Sequence, residues 1–269
     1  MNGAAPDGKK LLRIAVGLAE TAAATASRMR AVGVSGVSSK STVSDIVTAA
    51  DRAVERGIVA ELGRLRPDDA VMGEEYGAAG RAGPVRWIVD PIDGTVNYAL
   101  GLPYYAVSVA AEVAGVVVAG VVRNPATGDQ WTAVRGAGAH KNGRRLTGST
   151  RRELARAVVG TGFGYEADRR AHQGRVVAGL LSRVADIRRF GAAALDLCLT
   201  AEGALDAYYE KGLAAWDHAA GGLVAAEAGL TVSGLGGLPA GPTMVMAAPP
   251  ALHQPLAALL TELDAAGGP

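Results

Sequence analysis

The stretch from Tyr104 to Val122 is the longest apolar run in the chain, and how it folds decides the architecture. A membrane-spanning helix needs about 20 predominantly apolar residues. Here Glu112 interrupts the run, Gly115 sits near its middle and valines dominate. β-branched residues flanking a glycine turn predict a buried β-hairpin instead. Another strand pattern follows the Ala126-Thr127-Gly128 link and ends at Arg135. Gly138 to Leu146 then folds around Asn142-Gly143, a strong hairpin signal. An antiparallel meander is the expectation for this part of the chain.

Helical and alternating patterns surround the meander. Leu11, Ala15, Leu18, Ala22, Ala26 and Met29 line one side of a helix over 8–31. A second helix runs from Thr48 to Leu65, where Thr48 and Asp51 have capping-box spacing and Arg66-Pro67 ends it. Short strands follow at Ala70 to Met72 and up to Trp87-Ile88-Val89, separated by a Gly/Ala loop over 77–84. Beyond the meander, strands at 158–161, 187–190, 204–209 and 244–247 alternate with helices at 167–184, 192–202, 215–228 and 251–263. Alternation of this kind after a meander predicts an α/β (α+β) fold of stacked helix and sheet layers, not a sandwich or a bundle. No repeat or low-complexity linker divides the 269 residues, so a single domain is expected. It would have two closely packed lobes, about 1–160 and about 161–269.

Composition excludes several classes of partner. The net charge is +1, and no Lys/Arg run is interleaved with aromatic residues, so nucleic acid is not an expected ligand. The single cysteine, Cys198, forms no internal disulfide and sits among Leu195, Leu197 and Leu199 as a packing residue. With no secretory lead-in before Lys10 and no membrane span, the chain reads as soluble and cytoplasmic.

The chemistry concentrates at Asp90-Pro91-Ile92-Asp93-Gly94-Thr95. A buried strand delivers Asp90, Pro91 stiffens the exit, and Gly94 permits an unusual backbone angle or close approach of a ligand. Thr95 adds a hydroxyl, and amides at the start of a short helix would face an anion. Two carboxylates, a hydroxyl and exposed amides in one turn suit metal-assisted phosphoryl chemistry. The same dipeptides also make ordinary turns, and Asp93 could simply cap a helix. Glu74 follows a short strand and Gly73, and Asp217 opens a helix, where a carboxylate is stabilised with or without a ligand. Carboxylates at element junctions, without a Cys/His cluster, suit Mg²⁺ better than Zn²⁺.

Three segments together carry a resemblance: Gly73-Glu74-Glu75, Asp90 to Tyr98, and Trp216-Asp217-His218-Ala219-Ala220-Gly221. In order and separation they are similar to the signatures of the inositol monophosphatase family, Mg²⁺-dependent and often lithium-sensitive phosphatases. The likeness runs from about Lys40 to Ala248. It implies a layered α/β/α/β/α sandwich of the inositol monophosphatase/fructose-1,6-bisphosphatase type, usually a homodimer. It implies a small-molecule phosphate monoester as substrate, with no membrane partner, and two or three Mg²⁺ per site. Glu74, Asp90 and the Ile92 backbone carbonyl would hold the first ion, and Asp90, Asp93 and Asp217 the second. Glu74 and Thr95 would orient water, Asp45 would support Thr95, and phosphate would meet the amides of Gly94 and Thr95. Gly191, Ala193 and Glu210 match segments that contact inositol hydroxyls, although Glu210 also reads as a solvated strand-end charge beside Lys211.

The expected reaction is hydrolysis of inositol 1-phosphate. Histidinol phosphate, fructose 1,6-bisphosphate and adenosine 3′,5′-bisphosphate are alternative substrates within the superfamily. A regulatory binding protein on a phosphatase fold is the alternative of a different class. It predicts a lost metal ligand or an added tail, and every ligand position is intact.

Overall fold

The computed structural model describes residues 7–40, 46–81 and 83–269. Helix α1 (Gly8–Val32) leads to a short antiparallel pair, β1 (Ser38–Ser39) and β2 (Ile46–Val47), and then to α2 (Ala49–Leu65). Strands β3 (Ala70–Gly73), β4 (Gly77–Gly80) and β5 (Val85–Asp93) precede the short helix α3 (Thr95–Leu100). The meander comprises β6 (Ala106–Val113), β7 (Val116–Arg123), β8 (Gln130–Val134), β9 (Gly138–Lys141) and β10 (Arg144–Arg145). After β11 (Val158–Thr161), α4 (Ala167–Leu181) and β12 (Asp186–Arg188) come α5 (Ala193–Glu202) and β13 (Ala207–Glu210). The chain continues with α6 (Ala215–Glu227), β14 (Thr231–Ser233), β15 (Val245–Ala248) and α7 (Pro250–Glu262).

Two sheets result. The larger has the order β10-β9-β8-β7-β6-β5-β3-β4, and the smaller the order β12-β11-β13-β15-β14. The hairpin between β6 and β7 turns on Ala114 (φ 51°) and Gly115 (φ 79°), the one between β9 and β10 on Asn142 (φ 49°) and Gly143 (φ 81°). Positive φ at both central residues matches the right-handed twist of the strands they join. The valine-rich run is therefore β-structure, as its glycine break predicts, and among the described residues no helix is long and apolar enough to cross a membrane.

Three cores separate five layers. Leu11, Leu18, Ile58 and Leu62 of α1 and α2 pack on Trp87, Val89, Val107 and Val109 of the large sheet. The opposite face of that sheet, through Ile88, Ala110 and Val122, meets Leu195, Cys198, Leu223 and Val224 of α5 and α6. The same helices cover Tyr208, Val245 and Ala247 of the small sheet. Its outer face, with Val159 and Met246, is closed by Val176 and Leu180 of α4 and Leu252, Leu256 and Leu259 of α7. The layers are α/β/α/β/α, and β5 is buried on both faces beyond the exposed Arg86, which is why Trp87-Ile88-Val89 reads as an apolar run.

The 77–84 segment departs from expectation, because β4 forms where the sequence suggests a loop. Gly77–Gly80 pairs antiparallel with β3 at the sheet edge. Such a strand needs only backbone bonds, and glycine and alanine leave no alternation to read. At the heart of the sandwich, a Cβ on Gly120 of β7 would lie 3.0 Å from Cα of Ala220 in α6. Gly120→Val is therefore expected to overpack this seam and cost about 1–3 kcal/mol. A thermal melt several degrees below wild type would show it, and an unchanged Tm would contradict the close sheet–helix approach.

Candidate active site

β5 carries the first carboxylates to the edge of the middle helical layer. Asp90 pairs with Ser108 across the ladder, and Ser108 Oγ donates to the Trp216 carbonyl at 3.4 Å, so α6 begins directly above Asp90. The strand does not stop at Val89. It continues to Asp93 with its register broken between Asp90 and Asp93. Pro91 sits in this irregularity, where its missing N–H interrupts no regular ladder. Asp90 Oδ1 accepts the Ile92 amide at 3.0 Å, which folds the acid back against its own turn. Gly94 follows at φ 85°. A Cβ there would lie 3.0 Å from Ala192 Cβ and 3.2 Å from the Tyr104 carbonyl, so glycine is required on both counts.

Thr95 opens α3, and its hydroxyl lies 3.1 Å from both Asp51 Oδ1 and the Ile92 carbonyl. The sequence reading gave the supporting role to Asp45, which lies outside the described residues. The carboxylate that accepts from Thr95 is Asp51, read from sequence only as half of a capping box. It fills both positions, since its Oδ2 accepts the Thr48 amide at 2.8 Å. Glu55, one turn further along α2, was missed. Its carboxylate accepts the amides of Glu75 at 2.8 Å and Tyr76 at 2.9 Å, and so shapes the turn that presents Glu74. A Cβ on Gly73 would lie 2.1 Å from Glu55 Oε1, which explains the glycine before Glu74. One signal was present: Asp51 and Glu55 share the buried face of α2 with Ile58 and Leu62, where periodicity demands apolar residues. Lys40 Nζ lies 2.8 Å from Glu74 and 2.5 Å from Glu75.

The remaining carboxylates work on helix N-termini. α5 has no cap of its own because Ala192 offers no side-chain acceptor, and Asp93 Oδ2 accepts the Ala194 amide at 2.7 Å instead. Asp217, in the first turn of α6, accepts the Ala214 amide at 2.6 Å. Helix dipoles favour negative charge at both places. Glu210 ends β13 and accepts a hydrogen bond from the Tyr208 hydroxyl. A Cβ on Gly162 would overlap its carboxylate, with 1.9 Å to Oε2.

Glu74, Asp93, Gly94, Gly191, Ala193, Glu210 and Asp217 thus line one cleft of about 300 Å³, with Lys40, Arg169, Arg189 and Lys211 around it. Desolvation, then the charges of Glu74, Asp93 and Asp217, hold the Asp90 carboxyl well above its ordinary range. Asp93 is raised likewise, first by desolvation and then by Asp217. Desolvation and the nearby Glu74 push Asp217 up to about 8. Glu210 is pushed up to about 7 by desolvation, against the opposing pull of Tyr208 and Arg189. Among the described residues, no group of three His, Cys, Asp or Glu side chains already closes into a metal cage. Each acid is held by its own amide, hydroxyl or ammonium partner. The donor chemistry nonetheless fits a hard divalent cation: oxygen ligands only, with excess negative charge that a cation would neutralise. His218 is buried enough to be held neutral and is not needed as a ligand.

This electrostatic state has a measurable consequence. Glu210 and Asp217 titrate higher folded than their reference values of 4.5 and 3.8, so the folded protein binds more protons across that interval. Their contribution is intact at low pH and is lost as pH rises through about 7 and about 8. In EDTA, the melting temperature is expected to fall over this window, and Glu210→Gln to flatten the fall. A melting temperature that rises across the same window would contradict the assignment.

The whole-chain comparisons agree with this arrangement. Residues 7–265 match the model of the inositol monophosphatase family. Inositol-1-monophosphatase SuhB of Mycobacterium tuberculosis is 46% identical over 242 residues, which are 84% of this chain and 82% of the relative. Nus factor SuhB of Pseudomonas aeruginosa is 44% identical over 195 residues, 70% of this chain and 72% of that protein. Among solved structures, Mycobacterium tuberculosis SuhB superposes with a TM-score of 0.83 at 41% identity, covering 97% of this chain and 99% of that one. The chain belongs to the inositol monophosphatase family and is a phosphatase.

Proposed function

We propose that the protein hydrolyses inositol 1-phosphate to myo-inositol and phosphate with Mg²⁺ held by Glu74, Asp90, Asp93, Asp217 and the Ile92 carbonyl. The observation that carries this reading is the convergence of Glu74, Asp93 and Asp217 from different elements on one cleft, with Asp90 beside them, where burial and neighbouring charge hold the Asp90, Asp93 and Asp217 carboxyls above their ordinary range. Such an arrangement is compensated at neutral pH by retained protons or by bound cations. When bound, Mg²⁺ supplies charge neutralisation at the phosphoryl oxygens and acidifies water.

The chain's own groups supply position. The Thr95 hydroxyl directs its proton to Asp51 and the Ile92 carbonyl, which leaves its oxygen lone pairs free to accept from a water. Glu74 accepts the second proton of that water and fixes its line of attack. To do so its carboxylate turns from Lys40, whose ammonium remains paired with Glu75. The amides of Gly94 and Thr95 receive phosphate oxygens at the start of α3, where the positive φ of Gly94 allows close approach. Across the cleft, the Glu210 carboxylate accepts vicinal hydroxyls of the inositol ring, and the Ala193 amide and the turn at Gly191 border the same ring.

The names of the relatives favour the same substrate, and "Nus factor" for the Pseudomonas aeruginosa protein adds a second reading, a binding role carried on the same fold. Phosphate release from inositol 1-phosphate, fructose 1,6-bisphosphate, histidinol phosphate and adenosine 3′,5′-bisphosphate, with Mg²⁺ and then EDTA, separates the readings. The expected result is the highest kcat/KM for inositol 1-phosphate, lost on chelation and abolished in a folded Asp93→Asn variant. Preference for another ester would keep the chemistry and change the substrate. No metal-dependent release from any of them would leave the binding role.

A further inference from the structure

Asp196 is 1% exposed, lies in the first turn of α5 and has one oxygen, Oδ2, without a hydrogen-bond partner. Leaving a buried polar atom unpaired costs roughly 1–3 kcal/mol, so a leucine of similar size would serve packing better. Its other oxygen, Oδ1, accepts the Tyr104 hydroxyl at 2.5 Å. Tyr104 stands between α3 and β6, on the other side of the site. Its ring packs on Phe190 with centroids 5.0 Å apart, and its carbonyl accepts Asn97 Nδ2 at 2.8 Å. The same amide nitrogen donates to the Phe190 carbonyl at 2.8 Å. The Tyr104 carbonyl also lies 3.2 Å from the position a Gly94 Cβ would take.

One hydrogen bond therefore links the backbone beside the phosphate turn to the helix whose first turn borders the leaving group. We propose that Tyr104 and Asp196 are a positioning pair that fixes the α5 N-terminus relative to Gly94, so that phosphate and the alcohol leaving group are held in one frame. Neither side chain is among those lining the cleft, and both are committed to one another, so their role is positioning. The Ala194 amide is already committed to Asp93, which sets the height of α5 at one point. The Tyr104–Asp196 bond supplies a second point of attachment two residues further along the same first turn, and two points fix direction as well as distance.

The proposal rests on the phosphatase reading with a polyol leaving group, and two substrates separate its failure from that of the reading. Inositol 1-phosphate uses both sides of the cleft, whereas p-nitrophenyl phosphate presents the same phosphoryl group with a planar leaving group that offers Glu210 no hydroxyls. Tyr104→Phe keeps the ring stack and deletes only the hydroxyl. It is expected to lower kcat/KM for inositol 1-phosphate about 10-fold, the scale of one buried hydrogen bond to a carboxyl group. The value for p-nitrophenyl phosphate should fall by no more than about 2-fold, on the reasoning that uniform structural damage would affect both equally. Asp196→Asn retains the Oδ1 acceptor and should stay close to wild type, while Asp196→Leu should reproduce Tyr104→Phe. The double variant Tyr104→Phe/Asp196→Leu should be no worse than either single change. Equal losses on both substrates in Tyr104→Phe, or no loss on either, would overturn the proposal. Wild-type protein that shows no preference for inositol 1-phosphate over p-nitrophenyl phosphate would instead refute the substrate reading.

Discussion

The N-terminus of α5 begins without an acceptor in its own sequence, and the missing carboxylate arrives from the far side of the site. Asp93, on the last residue of β5, accepts the Ala194 amide and so joins the large sheet to the middle helical layer. The exchange is favourable in both directions. The helix gains a cap with negative charge at its positive end, and the carboxylate gains a donor in a place where water is scarce. Much of the site follows from that contact. It draws Gly191 and Ala192 against Gly94, which excludes any side chain at Gly94, and it leaves Asp93 close enough to Asp217 for the Asp217 charge to raise it.

The cost of this arrangement is electrostatic. Asp90, Asp93, Asp217 and Glu210 all titrate above their ordinary ranges, and desolvation is the leading cause for every one of them. A fold selected for stability alone would replace some of these acids with apolar residues of similar volume. Instead each acid keeps one hydrogen bond, Asp93 and Asp217 from the starts of α5 and α6, Asp90 from the Ile92 amide and Glu210 from the Tyr208 hydroxyl, and Asp93, Asp217 and Glu210 line the cleft. That is the configuration of a site whose final compensating charge comes from a ligand.

The sequence made much of this legible, for reasons specific to each element. β5 was visible because burial on both faces makes Trp87-Ile88-Val89 apolar, and the meander because its turns fall on Ala114-Gly115 and Asn142-Gly143, where φ must be positive. Layering came from strand–helix alternation, whereas the α/β/α/β/α order came from the family resemblance carried by the three signature segments. β4 was invisible because an edge strand of glycine and alanine has no face to mark. At the site, Glu74, Asp90, Asp93 and Asp217 were readable because each falls at a junction between elements. Asp51 and Glu55 were not, because they act across tertiary distance: one reaches Thr95, 44 residues away, and the other Glu75, 20 residues away. Asp196 and Tyr104, 92 residues apart, left no local trace at all.

The central claim is that burial and neighbouring charge hold these carboxyls above their ordinary range until divalent cations bind. Calorimetric titration of EDTA-stripped protein with Mg²⁺ near neutral pH, in two buffers of different ionisation enthalpy, tests it most directly. The account predicts saturable binding accompanied by net proton release, because cations displace protons from Asp90, Asp93 and Asp217. Binding without proton release, or no binding at all, would contradict it.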